Sequence, residues 1–241
     1  MTSKGDKQTP LRKWIIPIRG FMGFCHILID KSKESAIVID TGLFGEFWAI
    51  KLALKAHRIL PSKVEAILLT HGHLDHSGNL SFLKNYTNAP VYAHLYDQNI
   101  INGTNDYKGT NVWCGRLEAM GRKLLGVGLP VDIDHQINDG DKLPFLGGIE
   151  VIHLPGHTHG HCGFHLKERD AFFTGDLFSS YPLISHLPAP ILNSNPSLLT
   201  SSMKKAIDVN AEYIIPQHYD FFWPRIHKKR MLEIYQKMVK K

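Results

Sequence analysis

Residues 64–70 (VEAILLT) run directly into His71-Gly72-His73-Leu74-Asp75-His76, and this junction constrains the chain more than any other stretch. The run is apolar and β-branched enough to form a buried strand. Four metal-competent side chains then follow within six positions. On extended backbone, residues i and i+2 project to the same face. His71 and His73 can therefore converge on one ion, while Asp75 and His76, past the turn, reach another. Open α/β sheets hold their sites just beyond the carboxyl ends of strands, where this cluster falls. A histidine-rich surface loop that binds nothing would need neither the apolar strand before it nor the interleaved Asp75 and the Ser77-Gly78 exit.

Later segments repeat the plan of a short apolar run ending on a ligand type. Residues 149–154 lead into Pro155-Gly156-His157-Thr158, 171–173 into Thr174-Gly175-Asp176, and 213–215 into Pro216-Gln217-His218. Earlier, residues 36–39 close on Asp40-Thr41-Gly42. In this order, across residues 40–218, the elements resemble the signature of the metallo-β-lactamase superfamily. The resemblance implies an α/β fold, a four-layer αββα sandwich with the ligands along one edge between two sheets. It also implies a ligand set: His71, His73 and His157 for one ion, Asp75, His76 and His218 for the other, and Asp176 shared by both. Asp40 would support the site without binding metal. Histidine nitrogen and carboxylate oxygen suit zinc at about 2.0–2.2 Å, and iron or manganese accept the same donors. Two divalent ions, zinc foremost, are the expected cofactors. Neither set fills every coordination position, which leaves room for a bridging water or hydroxide. The implied activity is hydrolysis of an ester-like bond in a small molecule, a thioester or lactone foremost, with Asp75 orienting the nucleophile.

Departures from the superfamily's branches narrow this reading. Its β-lactamases that use a cysteine ligand carry it where this chain has Asp176. Classical glyoxalase II enzymes add a helical glutathione-binding region, and few residues follow His218 here. Lactonases often carry a tyrosine shortly after the bridging aspartate, and Tyr181 lies nearby. A persulfide dioxygenase with one iron shares a similar ligand string and is separated by metal count. Flavin-linked diiron members carry a glutamate where His73 stands. A signalling member that keeps the metals without turnover is the remaining alternative.

The chain has 241 residues, 43% hydrophobic and 21% charged, which suits one domain over residues 1–241. No run approaches the ~20 apolar residues of a membrane span, and the polar first ten residues lack a secretory core. Cys25, Cys114 and Cys162 form no even framework, which fits a reducing compartment. A cytoplasmic protein with no membrane partner is expected. The net charge of +6 and pI near 9.1 raise nucleic acid as a partner. The densest basic run is Lys228-Lys229-Arg230, with Lys237, Lys240 and Lys241 beyond. It reads instead as the solvated face of a terminal helix opened by Pro224, with Ile226, Ile234, Tyr235 and Met238 as its apolar side. Nucleases of the superfamily carry large added domains, so nucleic acid is not expected.

The remaining pattern supplies strands at 14–18 and 24–29 around Gly20-Phe21-Met22-Gly23, at 91–93 and at 162–166. It also supplies helices, one carrying Phe47, Ile50 and Leu54 on one face and another near 197–208. A helical insertion is expected near 95–130, where Tyr107, Trp113, Met120, Leu124 and Leu125 would pack onto the body or wall a pocket. Phe21 and Met22 pose the same choice at a hairpin tip. His159 and His161 are expected beside the site rather than in it, Cys162 as a small buried hydrophobe, and His186 in a loop without an assigned role.

Overall fold

The computed structural model describes residues 11–105, 107, 111–181, 185–219 and 224–240. Among these, two sheets form. The first takes β1 (Ile15–Arg19), β2 (Phe24–Asp30), β3 (Ser35–Ile39), β4 (Val64–Leu68), β5 (Val91–Ala93) and β6 (His135–Gln136), in that spatial order. β1 to β3 pair antiparallel and β3 to β6 parallel. The second sheet runs β11 (Tyr213–Pro216), β10 (Ala171–Gly175), β9 (Cys162–Leu166), β8 (Ile149–His153), β7 (Lys142–Leu143), antiparallel except for the parallel β10–β11 pair.

Side-chain alternation divides the strands between layers. Leu28, Ile37, Ile39, Ala66 and Leu68 of the first sheet meet Ile149, Val151, Phe164 and Phe173 of the second in one buried cluster. Their neighbours Ile27, Val38 and Ile67 point the other way, against Ile50 and Leu54 of α1 (Glu46–Ala56) and Leu80 and Leu83 of α3 (Leu80–Thr87). On the far side Phe172 and Ile214 pack against Met203 and Ala206 of α6 (Leu199–Asp208) and Met231 and Ile234 of α7 (Pro224–Met238). Both faces of each sheet are covered, so its strands read as continuous apolar runs. The layers are helix, sheet, sheet, helix, as expected.

The two sheets are tied where the ligand-bearing strands end. The Cys162 amide donates to Thr70 O at 2.8 Å, and the Phe24 amide to Gln217 O at 2.9 Å. Gly175 takes φ +54 here, and a Cβ on it would lie 2.5 Å from His161 Nε2 and 2.9 Å from Thr70 Cβ. Only a glycine permits that approach.

Two expectations fail. The terminal helix forms from Pro224, but Ile226 is exposed; its inward face is His227, Met231 and Ile234. The insertion is helical, with α4 (Gln98–Ile101) and α5 (Val112–Leu125). However, Trp113, Met120, Leu124 and Leu125 of α5 face solvent rather than the body. The short edge strands β6 and β7 carry no pattern long enough to be read in sequence. The expectations for the first ten residues and Lys241 lie outside the described residues.

Candidate metal centre

Chain direction delivers the ligand types to one edge. Just past β4 lie His71 and His73, the latter capping the short helix α2 (Leu74–Ser77), which carries Asp75 and His76. His157 follows β8, Asp176 follows β10, and His218 follows β11. The structure brings all seven together as two groups, His71/His73/His157 and Asp75/His76/Asp176/His218, whose ligand-type atoms lie within 4.8 Å of one another in each group. Asp176 lies between the groups. Its Oδ2 is 3.6 Å from His157 Nε2 and 3.0 Å from His218 Nε2, and its Oδ1 is 3.3 Å from His76 Nε2. Asp75 Oδ2 is 3.6 Å from His76 Nε2 and 3.5 Å from His218 Nε2.

The outer nitrogens explain how the rings are aimed. His76 Nδ1 donates to Asp40 Oδ2 (3.0 Å), His157 Nδ1 to Asn193 Oδ1 (2.9 Å) and His218 Nδ1 to Met22 O (2.8 Å). Thr70 Oγ1 gives its proton to Asp40 Oδ2 and so accepts from His71 Nδ1 at 3.1 Å. In these four rings Nε2 is left to face the cluster, the usual device for fixing a ligand histidine. His73 is reversed, with Nδ1 3.0 Å from His157 Nε2.

Asp40 sits at φ +57 and also accepts from the Thr70 amide (2.8 Å) and Gln217 Nε2 (2.7 Å). Its carboxylate is thereby spent on bracing. His161 is buried and fully engaged, its Nδ1 donating to Leu154 O and its Nε2 accepting from the Asp176 amide, both at 3.0 Å. His159 is exposed. His186 is exposed too, its Nδ1 donating to Leu187 O. Tyr181 follows Ser180, whose amide donates to His218 O.

Burial holds His71 well below the ordinary imidazole range, His73 at about 4, and His157 and His161 at about 3. Uncharged rings keep their lone pairs for a cation. At His76 and His218 burial acts in the same sense but is outweighed by Asp176 and Asp75, and both rings rise well above that range. Burial would raise Asp75 and Asp176, yet the same two histidines hold both carboxyls well below the usual range. His71 and His73 each keep a buried Nε2 with no hydrogen-bond partner. Buried unpaired atoms cost about 1–3 kcal/mol each, and a cation would remove that cost. The donor set fits divalent metal.

Several residues of the site escape sequence reasoning. Asp97, at the edge of the insertion, accepts from the Gly72 amide (2.8 Å), Thr158 Oγ1 (2.7 Å) and the Gly160 amide (2.8 Å), so one buried carboxylate pins both histidine loops. Glu118 lies with Cys114 beside His73, but both its oxygens are taken, one by the Leu74 amide (3.0 Å) and one by Tyr107 Oη (2.6 Å). Gln217 had a trace in sequence, standing inside the motif Pro216-Gln217-His218, and Asn193 had no such mark. Asp97 and Glu118 had none.

Comparisons with known proteins agree with this geometry. The profile of the metallo-beta-lactamase superfamily matches residues 19–218. The hydroxyacylglutathione hydrolase GloC of Haemophilus influenzae is 34% identical over 169 residues, 68% of this chain and 70% of that protein. The metallo-beta-lactamase family protein TTHA1429 from Thermus thermophilus superposes with a TM-score of 0.69 at 19% identity, over 94% of this chain and 79% of that one. TTHA1623, solved in a di-iron-bound form, superposes with a TM-score of 0.65 at 24% identity, over 85% and 91%. At those identities the two structures speak for the fold. With its ligand order, sandwich and profile match in accord, the chain belongs to the metallo-beta-lactamase superfamily.

Proposed function

We propose that this protein is a metal-dependent hydrolase that cleaves an ester-like bond in a small molecule, a thioester or a lactone, at a pair of divalent ions. The observation that carries the proposal is Asp176 standing between two preformed ligand groups, with oxygens directed at His157 on one side and at His76 and His218 on the other. His71, His73 and His157 would hold one ion, Asp75, His76 and His218 the other, and Asp176 both. Zinc suits the donors best, with iron or manganese as alternatives. Bound ions would supply a nucleophile from water at neutral pH and polarise the substrate carbonyl.

The chain's own residues do the rest. Asp75 is the more solvent-facing of the two carboxylates, placed to orient the attacking water and to hold its proton. Asp40 keeps His76 in register through Nδ1. Met22 O fixes His218, so the hairpin tip lies at the rim, and Phe21, 82% exposed, offers an apolar contact to an acyl group. The relative named a hydroxyacylglutathione hydrolase makes acylglutathiones the first substrates to test. Three free, buried cysteines support a location in the reducing cytoplasm.

The test is elemental analysis of anaerobically purified protein, followed by a panel of thioesters, lactones and simple esters. Two ions per chain with turnover of a thioester or lactone is the expected result. One ion at full activity under metal excess would overturn the dinuclear site, and a single iron with persulfide oxidation would replace the hydrolase with a dioxygenase. A fully loaded protein inert to every ester would make it a non-catalytic member.

A further inference from the structure

We propose that α5 docks this protein on an anionic lipid surface, lying in the plane of the interface. Its exposed side chains carry the case. Trp113, Leu117, Met120 and Leu124 are 58%, 57%, 53% and 72% exposed. At the 3.6 residues per turn of a helix they fall within an arc of roughly 60°. The opposite face holds the helix down by polar means. Glu118 accepts from the Leu74 amide and Tyr107 Oη, and the Arg122 guanidinium donates to the carbonyls of Ile100, Ile101 and Gly128. Cys114 is the buried residue of this face. The amphipathic sense is therefore inverted: polar groups inward, an apolar stripe outward.

Charge selects the occupant. Of the charged residues on α5, the exposed ones are Arg116 and Lys123, both basic, and the single carboxylate is engaged beneath the helix. The Arg116 guanidinium lies 4.8 Å from the centre of the Trp113 ring, so an interfacial aromatic and a cation come as a pair. A Trp/Leu stripe bordered by Lys and Arg along one side resembles that of helices that lie in a headgroup layer, and basic residues near such a surface are drawn to anionic lipids. A second copy of this chain fits less well. Two α5 helices packed face to face would bring no opposite charge to Arg116 and Lys123, and four side chains at this exposure offer less than the ~800 Å² per partner of a stable dimer. The expectation that no membrane is involved rested on the lack of a spanning run; interfacial binding needs none. Among the described residues, no helix is long and apolar enough to cross a bilayer.

The experiment is flotation of the full chain with phosphatidylcholine vesicles, with and without phosphatidylserine. The expected result is binding to the phosphatidylserine vesicles that weakens as salt is raised. The double variant Leu117→Asp/Leu124→Asp should bind about a hundredfold more weakly or worse, on the order expected for losing two buried leucines. Arg116→Glu/Lys123→Glu should lose the preference for phosphatidylserine. Both should keep the metal content of the parent. The proposal is overturned if the parent binds neither vesicle, or if the Asp variant binds as well as the parent. It is overturned in favour of a second copy if light scattering shows a dimer that the Asp variant dissolves while vesicles stay unbound.

Discussion

At the residue scale, the site depends on carboxylates that differ in what they touch. Asp176 faces both histidine groups, and under the proposed function its negative charge would offset the repulsion between two cations. Asparagine has nearly the same shape but is neutral and offers one good oxygen. Asp176→Asn should lower kcat by about 10²–10³ and weaken one ion, the one served by Asp75, His76 and His218, more than the other; full retention of both ions with normal turnover would remove the bridging role. Asp97 touches no ligand side chain, yet it accepts from the loops on either side of the three-histidine group. In Asp97→Asn one amide hydrogen would meet an NH2 group in either orientation, leaving a buried donor unpaired at about 1–3 kcal/mol. The variant should unfold at lower urea and lose metal from the His71/His73/His157 group first. Unchanged denaturation together with unchanged metal would show that Asp97 is dispensable.

At the scale of elements, β2 carries a buried titratable group that is not one of the ligands. His26 lies beside Phe173 and Tyr219, its Nε2 3.2 Å from Tyr219 Oη, and burial pushes it down to about 3. Because its folded pKa is below the ~6.5 of the unfolded chain, its contribution is fully present above pH 6.5. It is lost as pH falls from there toward 3, where the unfolded chain takes up a proton that the folded one refuses. One proton corresponds to about 1.4 kcal/mol per pH unit. His26→Phe, which keeps an aromatic ring in an aromatic setting, should flatten the fall of unfolding free energy over this window. Parallel curves for variant and parent would rule out His26 as one of the acid-sensitive groups.

At the scale of the whole molecule, the metal edge closes the gap between the two sheets. His71 and His73 keep unpartnered buried nitrogens there, and Asp75, Asp176 and Asp40 crowd around His76 on the same edge. An ion that binds the folded chain alone stabilises it by mass action, about 2.7 kcal/mol at a hundredfold excess over Kd. Chelation should therefore lower Tm by several degrees, and added zinc or iron should restore it. A Tm indifferent to chelator, in protein shown to have lost its metal, would mean that the edge is held by its hydrogen bonds alone.

Local pattern was enough to read the main strands and the ligand types, while the sandwich was implied by the resemblance to the superfamily. Strands buried on both faces are continuous apolar runs, as in 64–68 and 171–173, and each ligand sits within a few residues of a run's end, where chain direction alone decides its place. What local pattern could not reach were partnerships across long separations. Asp97 joins loops 25 and 63 residues away, and Gln217 reaches Asp40 across 177; nothing near Asp97 in the chain marks it, and the motif around Gln217 gives no sign of its partner. α5 is the sharpest case. Its apolar spacing is that of a packed helix, but the body bonds the opposite face through Glu118 and Arg122. Periodicity determines that such a helix has an apolar stripe; which way the stripe points was decided by those polar anchors, and they exist only in the folded chain.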